Sequence, residues 1–215
     1  MPKPVTQSEP QETEQRIFEA ALTVFSRKGR DGARMQEIAD LAGINRALLH
    51  YYFRTKQQLY EAVFAHLFQQ YVNSFSGSLH LDGTFGETLQ HFIGAYIDYV
   101  REHQDMARLM MNENLAGGSL LGEHLAKALS TKGSPQQKMQ QAIRRAVDNG
   151  EIRPVCPRQT MLTIISSCAF FFLIAPTVKV MNPLAATDFD AFIEARKQHV
   201  FEVLYHGLSL KGGET

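Results

Sequence analysis

QEIADLAGINRALLHYYF, residues 36–53, contains two short apolar-periodic runs separated by a glycine turn. In the first run Ile38, Ala39, Leu41 and Ala42 recur at helical spacing and are expected to turn inward, giving a helix over about 35–42. Gly43 and Ile44 make the turn. Asn45 then caps a second helix, Arg46 to Phe53, because its side-chain oxygen can accept from the free N–H groups of the first turn. Upstream, Ile17, Ala20, Ala21, Val24 and Phe25 form one stripe closed by Gly29, followed by a loop at Arg30, Asp31 and Gly32. Two short helices across a tight turn, buttressed by a third, describe a helix-turn-helix.

That geometry makes demands on the second helix, which must bury one face and offer the other to a groove of double-stranded DNA. Leu49 and Phe53, with Leu48, are expected on the buried side, and Arg46, Ala47, His50 and Tyr51 on the outward side. The outward set carries the chemistry that base edges require: a guanidinium for guanine, a methyl for thymine and two ring side chains. Most protein–DNA hydrogen bonds go to the backbone. Arg34, Tyr52, Arg54, Thr55 and Lys56 are placed to supply them, together with the N–H groups that open the next helix. Net charge is zero over 215 residues, yet Arg27, Lys28, Arg30, Arg34, Arg46, Arg54 and Lys56 face only Asp31, Glu37 and Asp40 within this segment. A neutral chain thus contains a locally basic stretch.

Elsewhere helical spacing dominates and no alternating strand pattern persists. Thr55 and Gln58 form a capping box for a helix reaching about Ser74; a Gly/Ser-rich loop follows over 76–83. A second box, Thr84 and Glu87, opens a helix lined by Phe85, Leu89, Phe92, Ile93, Tyr96, Ile97 and Val100. Further helices are expected over 104–115 and 119–130, from Ser134-Pro135 to Gly150, from Pro157, and from the cap Asp188 onward. The reading is all-α, with about nine or ten helices. MLTIISSCAFFFLIA, residues 161–175, is strongly apolar but ends at Pro176, short of the roughly 20 residues a span needs, so no membrane is expected as a partner. The polar, Pro-rich first residues hold no signal peptide, and a cytoplasmic location is expected.

The run GRDGARMQEIADLAGINRALLHYYFRTKQQLYEAV, residues 29–63, closely resembles the DNA-binding domain of the TetR-type repressor family. Gly29, Ile38-Ala39, Ala42-Gly43-Ile44, Leu49, Tyr51, Phe53 and Lys56 carry the likeness, and RIFEAALTVF, residues 16–25, resembles the family's first helix. NGEIRPVCP, residues 149–157, looks like its lead into the penultimate helix. The resemblance implies nine or so helices, a homodimer, a palindromic operator, and a ligand in the C-terminal domain that alters the spacing of the two heads. Repression, rather than activation, is implied by it alone. It also implies base reading by Arg46 and Ala47, and backbone or groove-wall contacts by His50, Tyr51, Tyr52 and Lys56. With Arg34, Gln36, Asn45 and Thr55 these make up the expected DNA-binding set. Three departures stand out: Arg34 where the family usually has a capping Thr, Asn45 for a common Ser, and His50 for a frequent Tyr, which makes a direct contact there pH-sensitive.

The domains expected are a disordered tail over 1–10, a helix-turn-helix domain over 11–57, and an effector-binding and dimerisation domain over 58–215. Within the last, Phe68, His91, Phe92, Tyr96, Met106, Met110, Cys168 and Phe171 are the candidates for a small, largely apolar effector, although Met and Phe also simply fill helical cores. The helix from Pro157 is apolar nearly all round, so it and the helix from Asp188 are the expected homodimer contact. Cys156 and Cys168 show neither disulfide nor metal spacing, and only Arg153 and Arg158 hint at a redox role. No catalytic motif appears, so neither an enzyme nor a cofactor is expected. A DNA-binding regulator answering to a protein partner or to oxidation stays open beside the ligand-responsive repressor.

Overall fold

A computed structural model of the chain describes residues 8–76, 83–130 and 134–210. Among them are twelve helices: α1 (Ser8–Gly32), α2 (Met35–Leu41), α3 (Arg46–Tyr52), α4 (Lys56–Ser76), α5 (Phe85–Glu102), α6 (Gln104–Leu115), α7 (Ser119–Ser130), α8 (Pro135–Asp148), α9 (Pro157–Leu173), α10 (Ala175–Met181), α11 (Pro183–Thr187) and α12 (Phe189–Leu208). The only β pairing among the described residues is an isolated antiparallel bridge between Ile152 and Ser209. The all-α reading therefore holds. Most of the predicted tail and of the 76–83 loop lies outside the described residues; Ser8, Glu9 and Pro10, assigned to the tail, are helical.

The chain divides into two compact units, residues 1–69 with 108–124, and residues 70–107 with 125–215. In the first, the α1 stripe is buried as its spacing requires: Ile17, Ala20, Ala21, Val24 and Phe25 are all core. They join Ile38, Ala39, Leu49, Leu59, Tyr60, Val63 and Phe64. Phe25 meets Tyr60 edge to face, with centroids 5.0 Å apart. Gly29 has φ 67° inside the formal span of α1, so the helix breaks where the sequence places its stop. Near the end of α6, the Asn112 amide donates to the Ser26 carbonyl at 3.0 Å, and the buried Glu113 accepts from the Tyr60 hydroxyl at 3.1 Å and from the Leu120 N–H at 3.1 Å.

The second unit is built around α5, whose box between Thr84 and Glu87 forms in full. Its buried face, which includes Leu89, Phe92, Ile93, Tyr96 and Ile97, packs against α8, α9 and α12. At Gly86 helix α5 comes so close to α12 that an added Cβ would lie 3.0 Å from the Tyr205 ring. Lys197 of α12 bonds both Asp98 of α5 at 2.8 Å and Glu194 at 2.7 Å. No single helix among the described residues is long and apolar enough to cross a membrane, and α9 with α10 qualifies only as a pair bent by 78°.

Two expectations fail. Helices α10 and α11 occupy a stretch with no expected helix: Pro176, where the apolar run is expected to end, sits in the first turn of α10, and Pro183 likewise opens α11. Leu41 and Leu48, expected inward, are 56% and 36% exposed. Each stands at the rim of its short helix, where one more residue of rotation carries it past the core.

Candidate nucleic-acid interface

Helix α3 is short and its position is fixed at both ends. Asn45 Oδ1 accepts from the Leu48 N–H at 2.8 Å, the cap expected of it. At the other end Phe53 lies 5.8 Å from Phe18 of α1, centroid to centroid. Leu49 is wholly buried between these anchors, which leaves the opposite face outward. Arg46, Ala47 and Tyr51 are exposed, Tyr51 to 81%. Tyr52 is half-buried, edge to face with Tyr51 at 5.7 Å.

His50 is tied to its own helix. Arg46 Nε donates to His50 Nε2 at 3.4 Å, and His50 Nδ1 lies 3.3 Å from the Arg54 carbonyl. Both bonds coexist only in the neutral ring with its proton on Nδ1, which donates to the carbonyl while Nε2 accepts from the guanidinium. The pair ties the Arg46 guanidinium to the ring one turn further along the helix. Lys56, expected to meet phosphate, has its ammonium on two carbonyls, Asp31 at 2.9 Å and Ala33 at 3.0 Å. That closes the loop after α1 onto the start of α4 and leaves one of three N–H donors for another acceptor. Thr55 Oγ1 accepts from the Gln58 N–H at 3.1 Å, forming its half of the box.

Arg34 precedes α2 and makes no side-chain cap, as the replacement of a Thr implies. Gln36 donates to Asp40 at 2.7 Å. Arg34 and Gln36 line an open groove of about 770 Å³ with Arg27, Lys28 and Glu37. Lys28 is engaged by Glu37 at 2.7 Å, and Arg30 by Asp31 at 3.2 Å. The basic stretch is thus partly neutralised beside α2, while Arg27, Arg34, Arg46 and Arg54 remain exposed.

Residues 17–63 match the family model for bacterial regulatory proteins of the tetR family, and residues 86–204 match that for the tetracyclin repressor-like C-terminal domain. The chain belongs to the TetR family. It is 26% identical over 192 residues to the HTH-type transcriptional regulator RutR of Escherichia coli K12, covering 89% of this chain and 88% of the relative. It is 27% identical over 165 residues to the HTH-type transcriptional repressor NicS of Pseudomonas putida, covering 74% and 75%. Among solved structures, FadR of Bacillus subtilis in complex with stearoyl-CoA superposes with a TM-score of 0.68 at 20% identity, over 90% of this chain and 98% of that one. This TetR-family chain is accordingly a DNA-binding transcriptional regulator.

The residues expected to hold an effector fall in both units. Phe68 and Met110 belong to the first, where Phe68 is buried beside His124 at 5.4 Å and Met110 is half-buried. In the second, Phe92, Tyr96, Met106, Cys168 and Phe171 are buried, and His91 lies on the exposed side of α5. Phe92 and Tyr96 touch at 5.9 Å; Phe171 packs instead on Phe172 at 4.1 Å and under the Arg196 guanidinium at 5.7 Å. Burial pushes the Cys168 thiol up to about 12, whereas Cys156, exposed before the first turn of α9, is lowered by the Gln159 and Arg158 amides.

A buried polar cluster went unseen in the sequence. Gln136 of α8, 2% exposed, donates to the Tyr71 hydroxyl of α4 at 2.9 Å. Tyr71 in turn bonds Tyr96 and meets the rings of Tyr96 and Tyr99 edge to face at 6.1 and 5.5 Å. Gln136 stands 65 positions from Tyr71, and no local pattern joins them.

Proposed function

We propose that this regulator is a cytoplasmic homodimeric repressor that binds a palindromic operator through α3 and is released by a small, largely apolar effector held in its C-terminal domain. The observation that carries the DNA side is the outward face of α3: Arg46, Ala47 and Tyr51 exposed over a buried Leu49. In this reading Arg46 and Ala47 read bases. His50, Tyr51, Tyr52 and Lys56, with Arg34, Gln36, Asn45 and Thr55, set the register on the backbone. Dimerisation is assigned to α9 and α12, where Leu162, Phe170 and Val203 are exposed apolar side chains. Ligand control is supported by FadR of Bacillus subtilis, which shares the fold and was solved in complex with stearoyl-CoA. Repression is supported by the likeness to the repressor NicS.

The test begins with selection of bound sequences from random duplex DNA. A two-fold symmetric site should emerge, bound by two copies of the chain, and a screen of apolar compounds should contain some that release it. Asymmetric sites, or occupancy that no compound alters, would favour the regulator without a small-molecule effector.

A further inference from the structure

Gln136 is a buried polar side chain of the second unit whose hydrogen bonding is incomplete. Its Nε2 is used by Tyr71, but its Oε1 is buried with no hydrogen-bond partner. The Tyr71 hydroxyl donates to Tyr96 and therefore accepts from Gln136, which fixes the amide with Nε2 toward Tyr71 and Oε1 as the orphaned end. A buried amide oxygen without a donor stays desolvated and unpaired, a deficit that a ligand's donor group would relieve. The surroundings are largely aromatic, with the His103 ring stacked on Tyr99 at 4.1 Å. Tyr71, Tyr96 and Tyr99 form edge-to-face pairs, Phe92 lies against Tyr96, and the Tyr99 hydroxyl donates to the Met106 sulfur at 3.6 Å. Burial pushes the Tyr71 and Tyr96 hydroxyls well up and that of Tyr99 to about 12, so this interior disfavours charge.

We infer that the Tyr71–Tyr96–Gln136 cluster is the recognition end of the effector site, and that it takes a small neutral ring compound bearing an O–H or N–H donor for Gln136 Oε1. The inference rests on the ligand-responsive reading above and names the class of compound. The rings provide stacking and edge contacts, the amide oxygen provides the discrimination, and Met106 is the flexible side chain able to yield space. A donor group here completes an existing deficit. An apolar ring of the same shape leaves it in place, and a carboxylate meets an acceptor in a site that rejects charge.

Calorimetric titration of the full-length protein with phenol, anisole, toluene and benzoate tests this directly. Phenol should bind roughly tenfold or more tightly than toluene or anisole, and benzoate should not bind. Gln136→Leu should erase the preference for phenol while toluene binding survives. Gln136→Met, closer in length, removes the same acceptor should the leucine variant fold poorly. Equal binding of phenol and toluene, or a preference that persists in both variants, overturns the inference. Operator release, followed in parallel, separates the two readings. If other compounds release DNA while phenol does not bind, this inference fails and ligand control stands. If phenol binds through Gln136 without altering operator occupancy, the cluster is not the effector site and this inference fails, whereas ligand control fails only if no compound of the screen releases the operator.

Discussion

Arg46 and His50 sit one turn apart on α3, and the bond between them makes the second a positioning residue for the first. Arg46→Ala should cost about 1–3 kcal/mol at one base pair of each half-site and relax specificity there. His50→Ala should leave the guanidinium in place but less directed, blurring the preference at that same base pair. Titration of single-base operator variants against each protein distinguishes the two patterns. Lys56 plays two parts. Losing its bonds to the Asp31 and Ala33 carbonyls should destabilise the first unit by about 1–2 kcal/mol in urea unfolding. Losing its remaining donor should weaken all DNA sequences alike and reduce the salt slope by about 1.

At the scale of elements, caps decide where helices begin. Asn45→Ala should cost about 1 kcal/mol and fray the first turn of α3, visible as faster amide exchange at Leu48. On α5 the Thr84 hydrogen bonds lower the Glu87 carboxyl below its ordinary 4.5. A lowered folded value means the stabilisation is present above the unfolded value and is lost as pH falls through the folded one. Glu87→Gln should therefore flatten the acid limb of the stability curve, as thermal melts from pH 6 downward would record. Such caps were legible because Asn45, Thr84 and Asp188 act on amides three residues away. The buried stripe of α1 was legible from its period, as was the buried side of α3 at Leu49. Leu41 and Leu48 were not, because helices this short present rim positions that periodicity cannot assign. Tyr71 and Gln136 were not, because hydrogen bonds across distant helices leave no spacing to read.

For the molecule as a whole, the proposed dimer puts two α3 helices on one operator. Leu162→Glu with Phe170→Glu places charge among exposed apolar side chains of α9. The double variant should sediment as a monomer with its helix content unchanged. Its operator affinity should fall to that of a single half-site, since the linkage between two heads supplies the gain of joint binding. A dimer that survives both substitutions would move the interface elsewhere.

The close approach of Gly86 to the Tyr205 ring has a genetic consequence. A methyl at residue 86 requires the Tyr205 ring to give by a few tenths of an ångström, so the two positions are coupled. In a random library Gly86→Ala clones should be weakened, and their intragenic suppressors should concentrate at Tyr205 as smaller side chains. Evolution of α5 is thereby tied to evolution of α12 through one close contact.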